Sequence, residues 1–205
     1  MTEQQRVRIV LASRNEGKLA ELRRILGPEY ELVALPETAA DVAETGRTFE
    51  ENALLKAHAA VAETGLMAVA DDSGLTVDEL NGMPGVLSAR WSGLPAGDPT
   101  RDEANLQLVL AQLNETPDER RGAAFVCAAA VAFADGREFV LRGEVRGTLL
   151  RGPRGSGGFG YDPIFVPDGE TRTTAEMSPD EKDAISHRGR AFRALAARLP
   201  ELIGF

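Results

Sequence analysis

The sequence predicts an α/β protein, and three observations carry that prediction. A short apolar run, Val7 to Leu11, passes through a polar turn into an amphipathic helix. Two apolar runs flank Asp135-Gly136 as the arms of a hairpin, and the chain closes with apolar residues recurring at helical spacing. At 205 residues the chain suffices for one sizeable core, and it is read as a single domain over 1–205.

The first unit is strand, turn, helix. Val7 to Leu11 is followed at once by Ala12-Ser13-Arg14-Asn15-Glu16-Gly17-Lys18, then by Leu19, Leu22, Ile25 and Leu26 at helical spacing. A turn between a strand's end and a helix's start gathers free backbone N–H groups and the positive end of the helix dipole, which favours an anion. Ser13 and Asn15 can donate hydrogen bonds there and Lys18 supplies charge, although the pattern G-x-x-x-x-G-K-[ST] is absent and the same turn could simply cap a helix. A second strand, Tyr30 to Leu35, leads into an acidic loop from Pro36 to Gly46 that carries Glu37, Asp41 and Glu44. Thr48-Phe49-Glu50-Glu51 reads as a capping box opening a helix that runs to Gly65. On that helix His58 falls near the apolar side, where a packing role is expected, and Lys56 falls off it.

Met67 to Leu75 is the stretch with most chemical content. A buried strand runs into Asp71-Asp72-Ser73-Gly74, which places two adjacent carboxylates at the end of an apolar element. Such a pair splays into solvent, shares a proton or faces a cation, and a divalent metal lets both stay ionised. Asn81 to Gly85 is turn chemistry. Arg90, beyond it, could reach a phosphate or neutralise Asp71. From Asp98 to Leu113 an amphipathic helix buries Leu106, Val109, Leu110 and Leu113. The hairpin follows, with Ala124 to Ala134 and Arg137 to Leu141 joined by a two-residue type I′ turn, and its second arm continuing through Val145 to Leu150.

The segment from Arg151 to Pro163 is rich in glycine and encloses Phe159 and Tyr161, with Arg142, Arg146, Arg151 and Arg154 nearby. Aromatic rings among glycines suit a flat ligand that is stacked upon while backbone approaches closely. Ser178-Pro179-Asp180-Glu181 opens another helix. On one straight helix Lys182 and His187 would diverge by about 140°, so a break at Ser186 is expected if Lys182, His187 and Arg188 are to converge. The last helix, from Arg190 to Leu202, packs through Phe192, Leu195, Leu199 and Leu202.

Composition narrows the function. Thirty-two acidic against twenty-three basic residues give a net charge of -9, which disfavours a partner that is polymeric nucleic acid gripped by its backbone. A small polyphosphate remains compatible, because distant surface charge is screened over about 8 Å at physiological salt. The one cysteine, Cys127, precludes an intrachain disulfide and is expected to pack as a small hydrophobe. The longest apolar run, Ala123 to Ala134, falls short of the roughly 20 residues of a membrane span. The N-terminal Met1 to Gln5 lacks the features of a secretory signal, so no membrane partner and a cytoplasmic location are expected.

Six motifs then occur in one order: Ser13 to Lys18, Thr48 to Ala53, Ala70 to Leu75, Pro84-Gly85 with Ser88-Ala89-Arg90, Gly157 to Pro163, and Ser186-His187-Arg188. In this order the chain resembles the inosine/xanthosine triphosphate pyrophosphatase family, which clears non-standard purine nucleoside triphosphates. The resemblance implies an elongated two-lobed fold on a long mixed sheet, an active site in the cleft between the lobes, and a homodimer. It implies Mg²⁺-dependent hydrolysis of ITP, dITP or XTP to monophosphate and pyrophosphate. Residue by residue, it implies that Ser13, Arg14, Asn15, Glu16, Gly17 and Lys18 hold the phosphates. Glu44 and Asp72 would bind the metal, with Asp72 also the proton acceptor, while Ser73, Phe159, Gly160, Tyr161, Asp162, Lys182, His187 and Arg188 would complete the substrate site.

These roles have a physical reason. Attack of water at the α-phosphorus needs in-line placement, a base and neutralisation of the departing pyrophosphate. Metal ligation lowers the basicity of Asp72, so a shared metal-and-base duty is expected, with Asp71 orienting it. Inosine and xanthine offer a 6-keto acceptor where adenine offers an amino donor, so donors on His187 or Arg188 would discriminate and Phe159 would stack on either. Two other classes fit the same residues: a nucleotide sensor without turnover, and a related hydrolase acting on modified pyrimidine or methylated nucleotides.

Overall fold

The computed structural model describes residues 7–13, 25–26, 30–36 and 38–204. Its strands form one mixed sheet in the order β2-β1-β3-β4-β5-β6, with β1 Val7–Leu11, β2 Tyr30–Ala34, β3 Ala68–Val77, β4 Gly122–Ala132, β5 Glu138–Leu149 and β6 Phe165–Pro167. β1 runs parallel to both β2 and β3, in register Val7 with Tyr30 and Val10 with Ala68, whereas β5 and β6 are antiparallel. Among the described residues, where 25–26 are also helical, the bounded α-helices are α1 Phe49–Thr64, α2 Arg101–Gln112, α3 Pro179–Ile185 and α4 His187–Ile203. Among the described residues no helix is long and apolar enough to cross a membrane.

Two compact units divide the chain. The first comprises Met1–Asp72, Cys127–Gly143 and Arg188–Phe205; the second comprises Ser73–Val126 and Glu144–His187. In the first, Ile9, Leu11, Val69, Cys127, Ala129 and Val131 pack against Phe192, Leu195, Leu199 and Leu202 of α4, so the expected stripe of the last helix is its buried face. Helix α1 lies on β1, with Ala60 against Val10 and Ala68. In the second unit, Leu106, Val109 and Leu113 of α2 pack with Leu75, Val77, Val145, Leu149, Ile164 and Phe165, and Leu110 borders them.

Several local expectations need correction. Thr48 does cap α1, its hydroxyl accepting from the Glu51 N–H at 3.1 Å, but the Glu51 carboxylate accepts from Arg47 N–H rather than closing the box on Thr48. Strand β3 does not stop at the acids; it runs ten residues, straight through Asp71 to Gly74. The hairpin turn is not type I′, which needs positive φ at two central residues. Among the described residues Asn81 alone has positive φ without being glycine, so Asp135 does not. Phe133 N–H donates to Arg137 and Gly136 N–H to Phe133, with Gly136 at φ 89°, which is a three-residue loop: a type I turn followed by a left-handed glycine. His58, expected to pack, is exposed and meets Glu138 at 2.5 Å.

The second unit also contains a buried guanidinium that sequence periodicity does not mark. Arg121 donates to the carbonyls of Leu113 at 2.7 Å, Leu149 at 2.9 Å and Leu150 at 2.8 Å. It thereby fastens the C-terminal end of α2 to the last residues before the glycine-rich segment. A cation is suited to this place because the terminal carbonyls of a helix have no intrahelical partner.

Candidate active site

Strand alternation decides the fate of the two acids on β3. Consecutive side chains point to opposite faces, so Asp71 and Asp72 make their direct contacts on opposite sides of the strand. Asp72 faces α1, where it accepts from Asn52 Nδ2 at 3.1 Å and from Lys56 Nζ at 2.9 Å. Asp71 faces Arg188 at the start of α4, at 3.4 Å. Both acids are buried. The strand can continue through them because each meets a cation on its own side, a condition for keeping charge in a low-dielectric interior.

Lys56 also reaches Glu44 at 3.0 Å, so one ammonium bridges two carboxylates. That leaves the trio one positive charge short of neutrality. Burial pushes the Asp72 carboxyl up, against the pull of Lys56, and the negative Glu44 adds to the rise. Burial would by itself pull Lys56 down, but Asp72 and Glu44 outweigh it and hold the ammonium charged. Asn52 and Lys56 were not expected at this site. Their signal was a spacing of four on one helix, which puts both on one face, beside the buried Phe49, Ala53 and Ala57.

A cavity of about 320 Å³ opens in the first unit, its polar lining Ser13, Asp41, Lys56 and Glu63 among alanines and Leu35 and Val42. Ser13 stands half-buried just beyond β1. Arg14, Asn15, Glu16, Gly17 and Lys18 of the expected phosphate turn lie outside the described residues.

The donor chemistry here fits a hard divalent ion. Magnesium takes one or two carboxylates and completes its shell with water and phosphate oxygens. Glu44 and Asp72 already converge on a single cation, the Lys56 ammonium, whose one positive charge occupies the place a divalent ion would take between them. Among the described residues no three His, Cys, Asp or Glu side chains gather into a metal-holding group, so substrate oxygens and water would supply the remaining ligands.

In the second unit the glycine-rich segment is organised by one buried carboxylate. Asp162 accepts from the Phe159 N–H at 2.8 Å, from Thr174 Oγ1 at 2.8 Å, and from the Lys182 ammonium. Gly158 has φ 72°, and a Cβ there would lie 2.1 Å from Asp162 Oδ2, so glycine alone fits. The result holds Phe159 outward, 60% exposed, with the Lys182 ammonium 5.1 Å from its ring centre. Gly160 N–H is held by Asp102 at 3.1 Å. Tyr161 turns inward instead, its hydroxyl donating to the Ser88 carbonyl at 2.8 Å, and burial pushes its pKa well up. Ser73 is half-buried on β3, and the neighbouring Gly74 has no room for a Cβ, which would meet Ser88 Oγ at 2.4 Å.

The expected break at Ser186 is present. Helix α3 ends at Ile185, Ser186 is extended at φ -61° and ψ 149°, and α4 begins at His187. The imidazole of His187 stacks on Phe125, centroids 5.0 Å apart and planes inclined by 14°. The arginines near the glycine-rich segment are engaged within the protein: Arg142 with Glu50, Arg146 with Asp78, Arg151 with Asp118, and Arg154 with Glu176. They hold the surface of the fold together, whereas the sequence reading took their proximity as support for a site-forming loop.

Comparison with known proteins adds an independent line. The profile of the Ham1 family matches residues 9–198. A protein of Frankia alni named dITP/XTP pyrophosphatase is 65% identical, the alignment covering 96% of this chain and 99% of that one. The crystal structure of the nucleoside-triphosphatase / dITP/XTP pyrophosphatase from Mycobacterium abscessus is 58% identical, with TM-score 0.77 over 95% of this chain and all of that one. A HAM1 protein from Coxiella burnetii, 44% identical, superimposes with TM-score 0.87 over 95% of this chain and 99% of the other.

Proposed function

The chain belongs to the Ham1 family, and from that premise we propose that it hydrolyses the non-standard purine nucleoside triphosphates dITP, ITP and XTP to the monophosphate and pyrophosphate. The relatives' names supply the substrate class. The observation that carries the chemistry is the trio of buried Asp72 with half-buried Lys56 and Glu44, Asn52 fixing the second oxygen of Asp72.

In this reading the water oxygen bonds to the α-phosphorus, the bond from that phosphorus to its bridging oxygen breaks, and pyrophosphate leaves with the electron pair. Asp72 accepts the water proton, a duty it shares with holding the metal. Lys56 brings positive charge to the phosphate oxygens, and the Ser13 to Lys18 turn binds the rest of the chain of phosphates. Mg²⁺, held by Glu44 and Asp72, would neutralise the departing pyrophosphate and acidify the attacking water.

Base recognition is assigned to Phe159, His187 and Arg188. Phe159 stacks on the purine without discriminating, while Asp162, Lys182, Gly160 and Tyr161 set the loop that presents it. His187 and Arg188 donate to the 6-keto oxygen, and an adenine amino group leaves those donors facing another donor, a mismatch that a hydrogen-bonding pocket rejects steeply. Ser73 contributes a hydroxyl from the strand that carries the acids.

The test is ³¹P product analysis of the purified chain with ITP, XTP, GTP and ATP, with and without Mg²⁺. The expected result is metal-dependent release of pyrophosphate from ITP and XTP far ahead of ATP. Tight binding without pyrophosphate, stepwise release of single phosphates, or a preference for modified pyrimidines would each replace this reading with another.

A further inference from the structure

His187 is assigned above to reading the purine, and such a donor works only if its ring is aimed. The torsion that swings an imidazole about its Cβ–Cγ bond is soft, with broad wells rather than three sharp ones. Something has to hold the plane.

The structure supplies a holder on a different element. Phe125, in the alanine-rich stretch of β4, lies parallel to the His187 ring at 5.0 Å and 14°. Phe165, fully buried at the start of β6, packs at 59° against Phe125 with centroids 4.6 Å apart. The three rings form a series whose buried end is Phe165 and whose last member is His187. Turning the imidazole out of its plane would give up the stacked contact with Phe125, so the series converts core packing into a preferred direction for the ring N–H. The surrounding residues of β4 from Ala123 to Ala130 are small apart from Val126, so no neighbour on that strand can replace the Phe125 face.

We infer that Phe125 is a positioning residue for purine selection, fixing the plane of His187 and through it the preference for a 6-keto over a 6-amino base. This rests on the reading of His187 given under the proposed function, and a mutant cycle separates the two. kcat/KM for ITP and for ATP is measured for the wild type, Phe125→Leu, Phe125→Tyr, His187→Ala and the double variant Phe125→Leu/His187→Ala. Phe125→Leu is expected to lower the ITP-to-ATP ratio by about three- to tenfold, the range an aromatic pair represents when converted to a rate factor. Phe125→Tyr keeps the flat face and should keep the ratio, and Phe125→Leu should change the ratio no further once His187 is gone.

A second readout does not depend on turnover. The chain has two histidines, His58 and His187, so their ring protons are easily told apart by NMR. In Phe125→Leu the His187 resonances should lose the ring-current displacement of a stacked imidazole while those of exposed His58 stay in place. Equal losses with ITP and ATP, or unchanged His187 resonances, would make Phe125 a packing residue only and overturn the inference. A His187→Ala enzyme with wild-type preference would instead overturn the role given to His187.

Discussion

Lys56 Nζ stands 2.9 Å from Asp72 across the junction of α1 with β3, and it is the same ammonium that reaches Glu44. A helix that looks ordinary in sequence thus supplies the counter-charge for an acidic strand. Removing it should be costly. Lys56→Met leaves two carboxylates facing each other with little water, and an unfolding free energy lower by about 2–3 kcal/mol is expected in urea titration. Millimolar Mg²⁺ should recover part of that loss, since a divalent ion can take the ammonium's place between Glu44 and Asp72. No recovery would count against those two residues as the metal's holders.

Arg188 and Phe159 should fail differently. Arg188→Ala removes a charged donor and its contact with the buried Asp71, so kcat/KM for ITP is expected to fall by about ten- to a hundredfold, with the ITP-to-ATP ratio falling too. Phe159→Leu weakens stacking for any purine and should lower both activities alike. Equal shifts of preference in the two variants would contradict this division.

Gly158→Ala tests the loop. The new methyl would collide with Asp162 Oδ2 at a backbone with φ 72°, and the positive φ alone costs at least about 1 kcal/mol for a non-glycine residue. Displacing Asp162 releases Phe159 N–H and Lys182 together, so KM for ITP should rise more than kcat falls.

Arg121→Met keeps bulk but takes the guanidinium from the Leu149 and Leu150 carbonyls, while Leu113 keeps the Thr116 N–H at 3.0 Å. At about 1 kcal/mol or more for each of those two groups, a loss of roughly 2 kcal/mol is expected by denaturant unfolding. A change below about 1 kcal/mol would show that water reaches those carbonyls.

Acid should destabilise the fold through its turns and caps. The Arg146 guanidinium holds Asp78 below the ordinary carboxylate range, and hydrogen bonds from Thr100, Arg137, Thr173 and Ser178 do the same for Asp98, Asp135, Glu176 and Glu181. A depressed folded-state pKa means stability that is present above the unfolded value and lost as pH falls through the folded one. The melting temperature should therefore decline below about pH 4. Asp78→Asn should flatten that decline, and an unchanged acid limb would refute the assignment.

Local chemistry determined much of this protein before any coordinates. The stripe Phe192, Leu195, Leu199 and Leu202, the Ser178 cap with its proline, the break at Ser186 and the six motifs in order are all short-range features, and such features are written in adjacent or helically spaced residues. Tertiary structure alone decided which residues meet. It carried β3 through Asp71 and Asp72, sent the two acids to opposite partners, drew Asn52 and Lys56 in from α1, turned His58 outward, engaged four arginines in the scaffold, and laid His187 on Phe125. The reason is that a charge or a ring is indifferent to sequence distance. Its neighbours are fixed by how helices and strands pack, and a periodic pattern records which face of an element is buried without recording what lies against it.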